Sequence, residues 1–169
     1  MKPAQICRLV LLGLTVTAGL AVAQAPASPG FEKLKTLVGP WEMRGPDGSR
    51  STVSYELVSA GSALLERIGG MHHADMDMVT VYHQDGDRLV MTHYCSAKNQ
   101  PRMVASPATG PVTELRFTFL DITNLASPEA GHMRGLVVHF DDPGHFTQAW
   151  TFRAKGEDTT KTFHWSRVK

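Results

Sequence analysis

Apolar and polar side chains alternate with a period of two in one short segment after another of this chain. About eight such segments can be recognised, at residues 53–57, 62–68, 76–83, 88–95, 115–119, 133–140, 146–152 and 160–168. This alternation is typical of β-strands that bury one face. Asp-Gly and Asp-Pro-Gly turn signals separate the segments, and no stretch between them resembles a long amphipathic helix that would cross over a parallel sheet. The sequence therefore predicts an all-β, antiparallel fold.

A single short helix is expected before the strands. Four apolar side chains would share one side of it: Phe31, Leu34, Leu37 and Val38. Gly39 and Pro40 would end the helix. Eight to ten strands with short connections can form a sandwich or close into a barrel without exposed edges, and periodicity alone does not choose between the two.

The first residues have the character of a secretory signal peptide. Lys2 and Arg8 supply positive charge, and the uncharged run from residue 9 to residue 22 is shorter than the roughly 18 to 20 apolar residues of a membrane-spanning helix. Cleavage is expected near Ala23, which predicts a periplasmic or secreted protein. The chain would then have three parts: a signal peptide at 1–23, a flexible leader at 24–30 and one domain at 31–169.

The composition of the expected mature chain limits its partners. Removal of 23 of the 169 residues leaves 146, enough for one hydrophobic core. Cys95 would be the only cysteine left, so no internal disulfide can form. Loss of Lys2 and Arg8 from 17 basic residues leaves 15 against 16 acidic ones, and no basic cluster remains. We therefore expect neither nucleic acid as a partner nor a membrane span in the mature form.

Several stretches resemble a known family. The short helix leading into Gly39-Pro40-Trp41 resembles the helix and G-x-W motif that open the lipocalin and calycin barrels. The runs GDRLVMTHYCSAKNQPRM and GHFTQAWTFR are similar to exported bacterial lipocalin-like domains of unknown function. The resemblance covers most of the expected mature chain. It implies an antiparallel up-and-down β-barrel of about 8–10 strands with a short N-terminal helix.

The same resemblance implies structural roles for Gly39, Trp41 and a late arginine. Trp41 would close one end of the barrel, and the arginine would lie across its indole ring in a cation–π contact. Arg167 is the favoured candidate for this arginine, and Arg153 is the other.

A more distant similarity is to the nitrobindins, a haem-binding branch of these barrels. Their haem ligand is a late histidine, and His164 is the residue of comparable position. Met43, however, stands where the glycine-rich opening of that branch requires glycine, and only Gly45 agrees. Haem binding is therefore kept as an alternative.

The segment VYHQDGDRLVMTHYC, residues 81–95, predicts a β-hairpin. A turn centred on Asp85-Gly86 would pair Tyr82 with Leu89 and Met78 with His93. One face of the hairpin is then mostly apolar, and we expect it to point into the barrel. The ligand-binding candidates lie on this face: Met76, Met78, Tyr82, Met91, His93 and Cys95.

Three interpretations of that face remain open. It can be packed core, in which methionines fill space around one hydrogen-bonded histidine. It can line a cavity, with His93 and Tyr82 as polar contacts to a small, mainly apolar molecule. It can also hold copper or zinc, because thioether, thiolate and imidazole suit soft metals and His72 would share the face. No Cys-x-x-Cys or His-x-x-x-His spacing supports a metal, and adjacent His72 and His73 would point to opposite faces. No metal or cofactor is therefore predicted.

Signatures of known enzymes are missing from the sequence, which lacks a G-x-S-x-G elbow, a phosphate-binding glycine loop and an H-E-x-x-H motif. Strand carboxylates are available as partners for a histidine base: Glu56, Glu66, Glu114 and Asp121. We therefore expect an exported barrel that binds a small, mainly apolar molecule. The alternatives are a cavity enzyme of isomerase or hydrolase type using His93 with an unidentified carboxylate, and a packed barrel acting through its outer surface.

Overall fold

The protein is a closed antiparallel β-barrel in the computed structural model, which describes residues 28–70, 77–108 and 110–169. The elements of this part are a helix α1 (Pro29–Lys35), a 3₁₀ turn (Ser59–Gly61) and the strands β1 (Gly39–Arg44), β2 (Arg50–Val58), β3 (Ala63–Gly69), β4 (Met78–Asp85), β5 (Arg88–Tyr94), β6 (Gln100–Ala105), β7 (Glu114–Thr123), β8 (His132–Asp142), β9 (His145–Ala154) and β10 (Glu157–Arg167). Each strand pairs with the next along the chain, and β1 pairs with β10. The predicted up-and-down barrel is confirmed; the signal peptide lies outside the described residues.

The helix covers one end of the barrel. Ser28 caps it, because its Oγ accepts a hydrogen bond from the Phe31 amide at 3.2 Å. Phe31 and Leu34 are buried against the barrel interior, as is Leu37 in the turn that follows. Val38, expected on the same apolar side, is 40% exposed because the helix has already ended at Lys35.

Trp41 and Arg167 join the first and last strands at this covered end. They are direct partners in the β1–β10 ladder, and the Arg167 guanidinium lies 4.0 Å from the centre of the Trp41 ring. Trp41 Nε1 donates a hydrogen bond to the Leu37 carbonyl at 2.7 Å. Gly39 enters the strand with φ of +116°, which a residue with a side chain rarely adopts. Arg153, the other candidate, instead pairs with Asp158 at a Nε to Oδ1 distance of 2.6 Å.

The register of the β4–β5 hairpin differs by two residues from the predicted one. Asp85 pairs with Arg88 and Tyr82 with Met91, so the turn is centred on Gly86-Asp87. Gly86, with φ of +63°, takes the first central position, where type II′ turns place glycine. Because the difference is an even number of residues, the same side chains face inward.

Strand β6 is not predicted by the alternation of apolar and polar residues. Its sequence, QPRMVA, begins with a polar residue and a proline, a pattern that is more typical of a loop than of a strand. The strand nevertheless completes the barrel between β5 and β7, and Met103 and Ala105 bury its inward face.

Candidate functional site

The hairpin face chosen from the sequence is turned into the barrel. Its buried members are Met78, Thr80, Tyr82, Leu89, Met91 and His93. Cys95 lies just beyond the end of β5, where it is partly buried against the core. Met76 lies outside the described residues, as does the MHHADMDM stretch up to that methionine.

A fully buried carboxylate lies at the centre of the barrel. Glu66 on β3 shares its inward face with two apolar residues, Leu64 and Ile68. Its Oε2 accepts hydrogen bonds from the Tyr82 hydroxyl and from Gln148 Nε2, both at 2.9 Å. The Gln148 amide has a fixed orientation because its Oε1 accepts from Trp165 Nε1 at 3.0 Å. Side chains from three other strands, β4, β9 and β10, therefore hold the Glu66 carboxylate in place.

The protonation of this carboxylate is set by burial. Loss of water raises the pKa of Glu66 above its usual range, and hydrogen bonds from Tyr55, Tyr82 and Gln148 oppose that rise. Burial, together with the nearby charge of Glu66, raises the pKa of both tyrosines well above 10. The tyrosines therefore remain neutral hydrogen-bond donors at any ordinary pH.

His93 is connected to Glu66 through a single threonine. Thr80 Oγ1 lies 3.2 Å from Glu66 Oε1 and 2.9 Å from His93 Nδ1. On its other side the imidazole packs against Trp150, with ring centres 4.6 Å apart. Burial lowers the pKa of His93 to about 4, so the imidazole is neutral near pH 7.

A small cavity lies beside His93, in the half of the barrel away from α1. Its volume is about 40 Å³, and its walls are formed by Ile68, Met78, His93, Met133, Gln148, Trp150, Phe163 and Trp165. In the described part of the chain, three buried side-chain atoms have no hydrogen-bond partner in the protein, and two of them, His93 Nε2 and Trp150 Nε1, belong to residues that line this cavity. An unpaired buried polar atom costs about 1–3 kcal/mol. A guest that reached these two nitrogen atoms with a hydrogen bond would recover that cost.

The cavity includes two of the six sequence candidates, Met78 and His93. Tyr82 and Met91 are fully buried elsewhere in the core, Tyr82 as a partner of Glu66. Sequence reasoning left the partner carboxylate of His93 unidentified. A signal for Glu66 was available, because it occupies an apolar position in the alternation of β3; the roles of Trp150 and Gln148 required the closed barrel.

The interior does not fit haem. His164, the proposed ligand, is exposed on the outer face, where its Nδ1 lies 3.2 Å from Thr147 Oγ1. The cavity beside His93 is far too small for a porphyrin. Within residues 28–70, 77–108 and 110–169, no group of three or more His, Cys, Asp or Glu side chains is placed to hold an ion.

Comparison with protein-family models and with curated proteins finds no match to this chain. The closed ten-stranded antiparallel barrel is consistent with a lipocalin-like or calycin-like fold. Among the residues that the structure describes, no helix has the length and apolar character needed to cross a membrane.

Proposed function

We propose that this protein is an exported, lipocalin-like barrel that binds a small, mainly apolar molecule in the cavity beside His93. The observation that carries the proposal is an apolar cavity lined by two residues, His93 and Trp150, that each hold a buried ring nitrogen without a hydrogen-bond partner in the protein. Small-molecule sites generally combine apolar walls with a few fixed polar groups of this kind.

The size of the cavity limits the guest. One water-sized probe needs about 10–15 Å³, so 40 Å³ accommodates about three non-hydrogen atoms. Met78 and Met133 form part of the wall, and methionine side chains adapt to new shapes at low cost. A guest slightly larger than the cavity can therefore enter if these two side chains change rotamer.

Ligand binding can be tested by NMR of protein carrying ¹³C-methyl methionine, titrated with methanol, ethanol and 1-butanol. Saturable shifts are expected at the methyl groups of Met78 and Met133. Met91 and Met103 are internal controls, because they are fully buried but do not line the cavity. Equal shifts at all four methyl groups, or no saturable shift at any, would contradict binding in the cavity.

A matched pair of variants separates the cavity from the rest of the protein. Ile68→Phe adds volume to a cavity wall, whereas Leu120→Phe makes the corresponding addition at a side chain that is 41% exposed. The saturable shifts should disappear in Ile68→Phe and remain in Leu120→Phe. Shifts that persist in Ile68→Phe would place the binding site elsewhere.

A further inference from the structure

An unbroken chain of polar groups joins the buried carboxylate to the cavity. Glu66 Oε1 contacts Thr80 Oγ1, which contacts His93 Nδ1; His93 lines the cavity, and its opposite ring nitrogen has no partner in the protein. A threonine hydroxyl carries one proton and accepts through its lone pairs. The position of the proton at the Glu66 end therefore determines its position at the His93 end.

Two arrangements of the protons give every polar group from Glu66 Oε1 to His93 Nδ1 a hydrogen-bond partner. When Glu66 is ionised, Thr80 donates to Oε1, His93 Nδ1–H donates to Thr80, and His93 Nε2 presents a lone pair. When Glu66 is protonated at Oε1, it donates to Thr80, Thr80 donates to Nδ1, and Nε2 carries the proton. The imidazole stays neutral in both arrangements, in agreement with a pKa of about 4.

We propose that Glu66, Thr80 and His93 form a proton relay through which the cavity binds a small weak acid as its anion. This inference rests on the proposed function, because the cavity must first accept a guest. The O–H bond of the acid breaks as an N–H bond forms at His93 Nε2. The Nδ1–H bond breaks as Thr80 gains that proton, and Thr80 passes its own proton to Glu66 Oε1. One negative charge thus moves from Glu66 to the guest, and nothing is oxidised or reduced.

Charge balance in the interior requires that Glu66 gain a proton when an anion enters the cavity. No Lys or Arg side chain lines the cavity or hydrogen-bonds to Glu66, in the part of the chain that the structure describes. The titratable groups that face Glu66 are Tyr55, Tyr82 and, through Thr80, His93. A second anion beside an ionised Glu66 would be unpaired and buried, which is costly. After the transfer, two residues that line the cavity carry an N–H without a partner in the protein, at His93 Nε2 and Trp150 Nε1, and the anion accepts from them once these rings turn toward it.

The relay itself can be tested without a ligand, by ¹⁵N NMR of the His93 ring. Wild-type protein above the pKa of Glu66 should have the Nδ1–H tautomer. In Glu66→Gln, the introduced carbonyl oxygen should occupy the Oε2 position, where Tyr82 and Gln148 donate, and the NH₂ group should face Thr80. His93 should then be the Nε2–H tautomer. Glu56→Gln is the matched control, because Glu56 is exposed on the neighbouring strand, and it should leave the tautomer unchanged.

Formate, with three non-hydrogen atoms, is a suitable anion probe. Its binding to wild-type protein should take up about one proton, seen by calorimetry in buffers of different ionisation enthalpy, and should convert His93 to the Nε2–H tautomer. The dissociation constant should therefore rise about tenfold for each pH unit above the pKa of Glu66. Glu66→Gln should bind formate without proton uptake and with little pH dependence. In Thr80→Val, formate binding should no longer convert His93 to the Nε2–H tautomer.

The outcomes separate this inference from the proposed function. The same His93 tautomer in wild-type and Glu66→Gln protein would overturn the relay, even if alcohols shift the Met78 and Met133 methyl groups. Formate that fails to bind, or binds without proton uptake, would overturn the weak-acid assignment. Absence of alcohol binding would instead refute the proposed function and leave the tautomer result to decide the relay.

Discussion

Replacement of Trp41 by alanine should remove a large part of the stability of the barrel. Trp41 is 1% exposed, packs edge-on against Phe146 at 4.8 Å, and lies under the Arg167 guanidinium. Truncation of a buried tryptophan costs about 3–5 kcal/mol, and loss of a partly desolvated cation–π contact adds about 1 kcal/mol. The expected loss is therefore about 5 kcal/mol, a third or more of the roughly 5–15 kcal/mol of a typical domain.

Urea unfolding followed by circular dichroism measures this loss directly. At roughly 4 °C for each kcal/mol in a domain of this size, the melting temperature should fall by about 15–20 °C. Tyr94→Ala is the control, because Tyr94 is 50% exposed and its truncation should cost under about 1 kcal/mol. If Trp41→Ala destabilised the protein no more than Tyr94→Ala does, Trp41 would have no role in closing the barrel end.

Two further effects should follow from the buried network. Tyr82→Phe removes a hydrogen bond to the Glu66 carboxylate and should cost about 1.5–3 kcal/mol in urea unfolding, whereas Tyr94→Phe should cost close to nothing; equal costs would contradict the network. The pKa of His93 falls from 6.5 to about 4 on folding. Between these two pH values the native state therefore binds fewer protons than the unfolded chain. The free energy of unfolding should decrease as the pH falls through this range. The stability difference between wild-type and His93→Gln protein should shift by about 3 kcal/mol, against the wild type, between pH 7 and pH 4; parallel pH profiles would contradict a buried neutral His93.

The fold could be predicted because its signal is local. A period of two assigns each side chain to one face of its strand. The inward face of β4 and β5 is therefore predicted correctly, although the predicted turn lies one residue before the observed one. Strand β6 was missed because Pro101 stands near its start, and only pairing with β5 and β7 identifies it as a strand.

The candidate site could be predicted only in part, because its contacts join strands that are distant in sequence. Gln148 is separated from Glu66 by 82 positions, and Trp165 closes the same network from the last strand. The inward position of His93 followed from alternation alone. The link from His93 through Thr80 to Glu66 did not, because alternation places Glu66 inward but only the closed barrel shows which inward side chains meet.

The most direct test of a ligand-binding interior is a crystal structure of the protein soaked in ethanol. Electron density for one molecule is expected between His93 and Trp150, with its oxygen atom about 2.7–3.2 Å from His93 Nε2 or Trp150 Nε1. A structure in which ethanol occupies only the outer surface, with the space beside His93 filled by the side chains of Met78 and Met133, would contradict the assignment of this cavity as a binding site.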